Sequence, residues 1–303
     1  MDRVESEKEP KMTLDRRSFI ATLGAAALAM RRGLAARIPH LGVQLYTVRT
    51  LLEKDFDGTL ASVASIGFTE VEFAGYFNQT PEQVRDALTR HRLSAPSAHI
   101  DYASLTGDKW ARVLESAHII GHQYLVNAWV DESIRNQPDA WKRIADAYNE
   151  AAAASKRAGI QFAYHNHNFE FSPRKDAGGK LPFDILLESC DPALVKMELD
   201  LCWISAAGKD PLDYFRRYPG RFPLVHVKGL RRRPAMPTDE AVAIDRILPD
   251  ITDVGHDDVI DWRRIFAQSR TAGIEHYFVE HDVPKSPLDS LKASYDYLSH
   301  LEF

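Results

Sequence analysis

The sequence predicts an α/β fold, a closed (β/α)8 barrel, preceded by a separate amino-terminal segment. Three observations carry this expectation. The length of 303 residues exceeds one average domain but suits a single α/β barrel. From Leu41 onward, short apolar runs alternate eight times with longer stretches of 3.6-residue periodicity, the pattern of repeated βα units around a parallel sheet. No Gly-x-Gly-x-x-Gly follows the first apolar run, which removes the main reason to prefer the alternative, an open doubly wound sheet. Hydrophobic residues at 45% and charged residues at 27% give an ordinary globular balance and exclude a disordered chain.

The first element in chain order is an expected export signal. Asp15-Arg16-Arg17-Ser18-Phe19-Ile20 precedes an apolar, Ala-rich stretch over 21–30. Charge, a short apolar core and small residues at 35–36 are the layout of a secretory leader. The paired arginines resemble the twin-arginine signal, which exports folded proteins. Residues 1–38 are therefore set aside as an export signal or flexible amino terminus, and 39–303 are read as one barrel domain. This reading implies a periplasmic or otherwise extracytoplasmic protein with no stable membrane insertion after signal removal. No apolar run after residue 40 is long enough to span a bilayer. Export would permit a disulfide between Cys190 and Cys202, although nothing in the sequence brings the two thiols together. Two cysteines exclude a disulfide-dense scaffold and a four-cysteine zinc site.

The expected strands are 41–46, 70–73, 95–100, 124–128, 161–167, 195–200, 223–227 and 277–280. Helical periodicity marks 81–91, 108–120 and 139–157 between them. Thr80-Pro81 and Gln137-Pro138 read as helix starts, and Gly67, Gly121, Gly159 and Gly273 as helix ends. A longer loop over 229–257 carries Arg231-Arg232-Arg233, read as a solvated segment with phosphate binding as the sharper alternative.

Polar residues end these strands, where a barrel places its active site and where buried strands are otherwise apolar. They are Gln44; Glu70 and Glu72; His99 and Asp101; Asn127 and Trp129; His165, His167 and Glu170; Glu198 and Asp200; His226 and Lys228; Glu280, His281 and Asp282. Each alone has an ordinary structural role open to it. Together they would bring unpaired charges to one barrel mouth, which a bound divalent cation would compensate. One such ion is expected, Mn²⁺ first, with Zn²⁺, Co²⁺ or Fe²⁺ as alternatives, because imidazole and carboxylate donors suit these metals.

The segments Gly42-Val43-Gln44-Leu45-Tyr46, Tyr164-His165-Asn166-His167, Met197-Glu198-Leu199-Asp200, Arg221 to Lys228 and Val279-Glu280-His281 resemble the sugar phosphate isomerase/epimerase family. These are the xylose-isomerase-like TIM barrels, a group that also holds inosose dehydratases and endonuclease IV. The resemblance runs from Leu41 to the end. It implies a metal held by Asp200, His226 and Glu280, with His165 standing where many members have a glutamate. It places His167 at the position of a substrate-binding or acid/base histidine and matches Lys228 to the family's lysine. Gly229 replaces an acidic residue that often follows, and Gly255-His256-Asp257 replaces a glycine-rich turn.

The expected function is a metal-dependent sugar isomerase or epimerase that abstracts a proton next to a carbonyl and passes through an enediolate. His167 is the first choice of base and Glu198 the second, with Lys228 also in the catalytic set. Gln44, Glu72, His99, Trp129 and Trp203 are expected to line the substrate pocket. The alternative is a lyase or dehydratase eliminating a β-oxygen substituent, with a 3-keto-glycoside as its sharpest form. Export argues for an unphosphorylated small-molecule carbohydrate. A non-catalytic sugar-binding barrel and an endonuclease rank lower, since a net charge of -5 weighs against nucleic acid. A homo-oligomer is left open.

Overall fold

The computed structural model describes residues 36–234 and 243–303. The amino-terminal signal expected from the sequence lies outside the described residues. Arg37–Phe303 pack as one compact unit.

Eight strands close into a parallel barrel: β1 (Leu41–Gln44), β2 (Glu70–Phe73), β3 (Ser94–Ile100), β4 (Tyr124–Asn127), β5 (Gln161–His165), β6 (Val195–Asp200), β7 (Leu224–Val227) and β8 (His276–Val279). Each strand pairs with its sequence neighbours, and β1 closes the barrel by pairing with both β2 and β8. The expected strands all form, but the first, expected over 41–46, stops at Gln44, the fifth, expected over 161–167, at His165, and the eighth at Val279. His167 and Glu280 therefore sit just beyond the sheet, at the rim.

Local chemistry explains the helices between them. In α1 (Phe56–Ile66), Asp55 accepts a hydrogen bond from Gly58 N at the start, and Gly67 ends the helix at φ 123°. In α2 (Pro81–His91), Thr80 and Gln83 form a reciprocal capping box and Pro81 opens the first turn. α3 (Gly107–Ile120) ends on left-handed Gly121, and α4 (Ala140–Arg157) buries Trp141, Ile144 and Tyr148 along one face. The outer layer continues with α5 (Pro182–Ser189), α6 (Leu201–Ala206), α7 (Pro211–Arg217) and α8 (Pro287–Ser299).

The barrel interior is layered because successive inward side chains are two residues apart along each strand. Tyr124, Val126, Ala163, Leu224 and Phe278 form a small apolar plug. It is separate from the main core between strands and helices. Above the plug the inward positions turn polar. The register pairs His165 with Glu198 and Asp200 with His226, so residues far apart in sequence share one level. Among the described residues no helix is long and apolar enough to cross a membrane.

Candidate active site at the carboxyl end of the barrel

The polar interior begins with Glu72, fully buried on β2. It accepts hydrogen bonds from Gln44 Nε2 at 2.8 Å and from Ser97 Oγ, and faces His226 Nε2 at 2.7 Å and His99 Nε2 at 3.2 Å. Beside it Glu198 Oε2 lies 2.8 Å from His99, 3.2 Å from His165 Nδ1 and 3.2 Å from His226 Nε2. Its other oxygen, Oε1, is buried without a hydrogen-bond partner.

A second group stands nearer the mouth. Asp200 Oδ1 accepts from Trp203 N at 2.7 Å, so the same carboxylate caps α6, while Oδ2 faces Lys228 Nζ at 3.0 Å. Glu280 Oε2 is 2.8 Å from both His226 Nδ1 and Lys228 Nζ, and Asp282 lies 3.2 Å from the same ammonium. Lys228 is itself only 1% exposed.

Charge explains how this set is tolerated. Burial opposes charge on His226, but Glu198 and Glu280 outweigh it and hold its pKa well above the ordinary value. Burial likewise opposes charge on His99, yet Glu72 and Glu198 lift its pKa to about 9. Lys228 is pushed up by Asp200, Asp282 and Glu280 against the cost of burial. His165 goes the other way: burial and the neighbouring imidazoles hold it well below its usual range. Burial raises Asp200 to about 6, against the pull of Lys228 and His226. With every carboxylate ionised, Glu72, Glu198, Asp200, Glu280 and Asp282 face three cations, Lys228, His226 and His99, a formal excess of two negative charges. Buried excess charge is costly.

The residues present fit a divalent cation. Donor atoms of Asp200, His226 and Glu280 lie within 4.8 Å of one another, as do those of His99, His165, Glu198 and His226. The two groups share His226. The four expected ligands thus form a chain rather than one tight set, His165 Nε2 lying 3.9 Å from Asp200 Oδ2. The sequence places His99 in the substrate pocket and Glu198 as a base; both also join a donor group.

A cavity of about 400 Å³ opens above these groups, walled by His99, His165, His167, Trp129, Trp203 and Lys228 among others. Three of the expected substrate contacts, His99, Trp129 and Trp203, therefore line it. Gln44 and Glu72 do not. Their inward positions lie one layer lower, where Gln44 Nε2 donates to Glu72 Oε2 at 2.8 Å. His167 stands among aromatic rings, 5.2 Å from Trp129, 5.5 Å from Phe169 and 5.7 Å from Trp203. Burial and Lys228 keep its pKa well below the ordinary range, and its Nδ1 has no hydrogen-bond partner. It is held as a neutral imidazole.

Asp282, which the sequence groups with the polar residues at the strand ends, joins the Lys228 cluster two positions after Glu280. The site also contains residues not expected there from the sequence. Tyr46 forms part of the wall at the end of β1. Arg135, eight residues beyond β4, and Phe169, four residues beyond β5, support Trp129; no sequence signal marks Arg135. In the Arg run, Arg231 faces Asp257 at 3.0 Å and Arg232 faces Asp250 at 2.9 Å, and neither lines the cavity. Gly229 has a local reason for its lack of a side chain: a Cβ there would stand 2.7 Å from the backbone oxygens of Thr252 and Asp253.

A parallel (β/α)8 barrel with buried imidazoles and carboxylates at its carboxyl rim defines a class of small-molecule enzyme scaffold. Within that class, the chain belongs to the xylose isomerase-like TIM barrel family, whose model matches residues 60–301. It is 24% identical over 250 residues to an inosose dehydratase of Lacticaseibacillus casei, covering 75% of this chain and 82% of that one. A match of 23% over 201 residues to the Clostridium perfringens inosose dehydratase covers 60% of this chain and 66% of the relative. A solved sugar phosphate isomerase/epimerase from Parabacteroides distasonis superposes with a TM-score of 0.70 at 22% identity, over 88% of this chain and 95% of that one. That likeness shows the fold.

Proposed function

We propose that the protein is a divalent-metal-dependent enzyme that abstracts a proton next to the carbonyl of a sugar or related polyol. The observation that carries this reading is His167: a neutral imidazole with a free Nδ1 on the cavity wall, beside a buried cluster of carboxylates and imidazoles. Proton abstraction needs a base within reach of the substrate and a positive environment for the oxygen that gains charge. Glu198, the second candidate base, is engaged by three imidazoles, so the geometry favours His167. Lys228 places a fixed positive charge on the cavity wall. Asp200, His226 and Glu280, with His165, would hold the ion, Mn²⁺ first. When bound, it supplies the charge that stabilises an enediolate.

The reaction is decided after the proton has left. Return of the proton to the neighbouring carbon isomerises, return on the opposite face epimerises, and loss of a β-oxygen substituent eliminates. Isomerisation or epimerisation is the first reading. The relatives named inosose dehydratase favour the second, a dehydratase or lyase acting on a keto-cyclitol or a 3-keto-glycoside.

Deuterium uptake tests the shared first step. Free ketoses, 3-keto-glucosides and inososes, incubated in D₂O with Mn²⁺, should gain a carbon-bound deuterium by mass spectrometry. His167→Ala should retain metal and slow uptake by more than about a hundredfold. Absence of both deuterium uptake and elimination product with every one of these compounds would sink the proposal, whereas an unimpaired His167→Ala would move the base to Glu198. We also propose that the protein works outside the cytoplasm, on the strength of Arg16-Arg17-Ser18-Phe19 and the apolar stretch behind it.

A further inference from the structure

We propose that the cavity takes an uncharged, amphipathic glycoside, with a sugar ring on its polar floor and an apolar, preferably aromatic, substituent against its rim. This names the substrate class of the candidate active site and rests on the proposed reaction for the placement of the ring.

The first observation is where apolar surface is left open. Among the described residues, the large hydrophobic side chains that stand exposed are Tyr46 at 40%, Trp129 at 43%, Val259 at 46% and Val283 at 50%. Tyr46, Trp129 and Val283 all wall the same cavity, joined there by Ile244 and Leu248. Apolar side chains scattered singly over a surface are ordinary, but several converging above a polar floor mark a surface that a ligand covers. A bare sugar offers hydroxyls on every edge and would leave this rim wet. A glycoside with an apolar substituent matches both halves.

The second observation concerns cations. The Arg49 guanidinium lies 3.8 Å from the Tyr46 ring centroid and donates to the backbone oxygens of Tyr46 and Asp282 at 2.7 and 3.0 Å. The Arg135 guanidinium lies 4.6 Å from the Trp129 ring and 3.9 Å from the Phe169 ring, and donates to Val130 O at 2.8 Å and Glu132 Oε1 at 2.8 Å. Neither arginine is part of the cavity wall, though Tyr46 and Trp129 are. Each arginine is thus committed to bracing a ring, and cation–π contact of this kind fixes the ring that a ligand would stack upon. Among the described residues Lys228 is the wall's only lysine or arginine, and Asp200, Glu280 and Asp282 surround it at 3.0, 2.8 and 3.2 Å. A phosphate seeks guanidinium forks or free ammonium groups and would meet carboxylates here instead. The rim selects for an uncharged ligand.

Isothermal titration of the full chain, with and without Mn²⁺, decides the matter. The probes are methyl and phenyl β-glycosides of glucose, galactose and xylose, with glucose 6-phosphate as the charged arm. These glycosides carry no carbonyl and are not turned over, so a failure of the deuterium-uptake test would leave this result standing, and the reverse. For at least one sugar the phenyl glycoside should bind about tenfold tighter than its methyl counterpart, and glucose 6-phosphate should be weaker than both. Trp129→Ala or Tyr46→Ala should bring the phenyl-to-methyl ratio toward one, and Trp129→Phe should retain it. The proposal is overturned by equal affinities across every pair, by tightest binding of the phosphate, by no phenyl glycoside binding at millimolar concentration, or by an unchanged ratio in both alanine variants.

Discussion

Asp200 shows how one side chain answers two demands. Its Oδ1 caps α6 through Trp203 N at 2.7 Å, and its Oδ2 faces Lys228 Nζ at 3.0 Å within the proposed metal site. Asp200→Ala would therefore lose both the cap, worth about 1 kcal/mol, and the ligand charge. Asp200→Asn separates them, because an amide oxygen still accepts from Trp203 N while the negative charge is gone. The expected result is a near-native melting temperature for Asp200→Asn, with divalent-metal affinity weakened by more than about a hundredfold in Asp200→Asn, Asp200→Ala and Glu280→Ala. Metal content by elemental analysis after dialysis against Mn²⁺ is the measurement. Full occupancy in all three would show that the ion is held elsewhere, the His99, His165 and Glu198 group being the next candidate.

Between elements, His122 ties three of them together. It follows α3, its Nδ1 donates to Ala95 O of β3 at 2.6 Å, and its Nε2 accepts from Tyr76 OH, beyond β2, at 3.1 Å. Both ring nitrogens are committed to the neutral form, and the residue is 5% exposed. Burial lowers its pKa to about 4, the bond to Ala95 opposing. The unfolded chain therefore binds a proton that the native protein refuses as pH falls below about 6.5. The stability this group contributes is present above that value and is lost on the way down to about pH 4, at a total of roughly 3 kcal/mol. Urea unfolding from pH 7 to pH 4 should show a shallower decline for His122→Asn, whose amide can still donate to Ala95 O, than for the parent chain. Parallel declines would remove His122 as a source of acid sensitivity.

For the whole molecule, the layered barrel separates stability from chemistry. The apolar plug and the helix-facing core hold the fold, while the polar layers above the plug carry the ionisable groups of the candidate site. The proposed export signal in the amino-terminal sequence can be tested in cells. Expressed in a bacterium with a twin-arginine pathway, the full chain should appear in the periplasmic fraction, and Arg16→Lys with Arg17→Lys should keep it in the cytoplasm. Equal distribution of the two forms would end the export proposal and with it one reason to expect an unphosphorylated substrate.

The eight-fold βα repeat is written in the sequence alone, because strand and helix periodicities are local properties that survive without any knowledge of neighbours. β2 and β6 are legible to the residue, as is α2 with its Thr80 and Gln83 cap. Much of the candidate site is legible for a related reason: a buried strand in a parallel barrel is otherwise apolar, so a polar residue at its end stands out. The remainder depends on tertiary packing. Whether Gln44 and Glu72 face the cavity or lie beneath it depends on the depth of each strand in the barrel, which register and tilt set together. That His99 meets Glu198, or that Arg135 braces Trp129 over His167, comes from loops and strands brought together across the barrel. Sequence shows which groups can bear charge; only closure of the barrel shows which of them share one buried space, because that depends on strands brought together across the barrel.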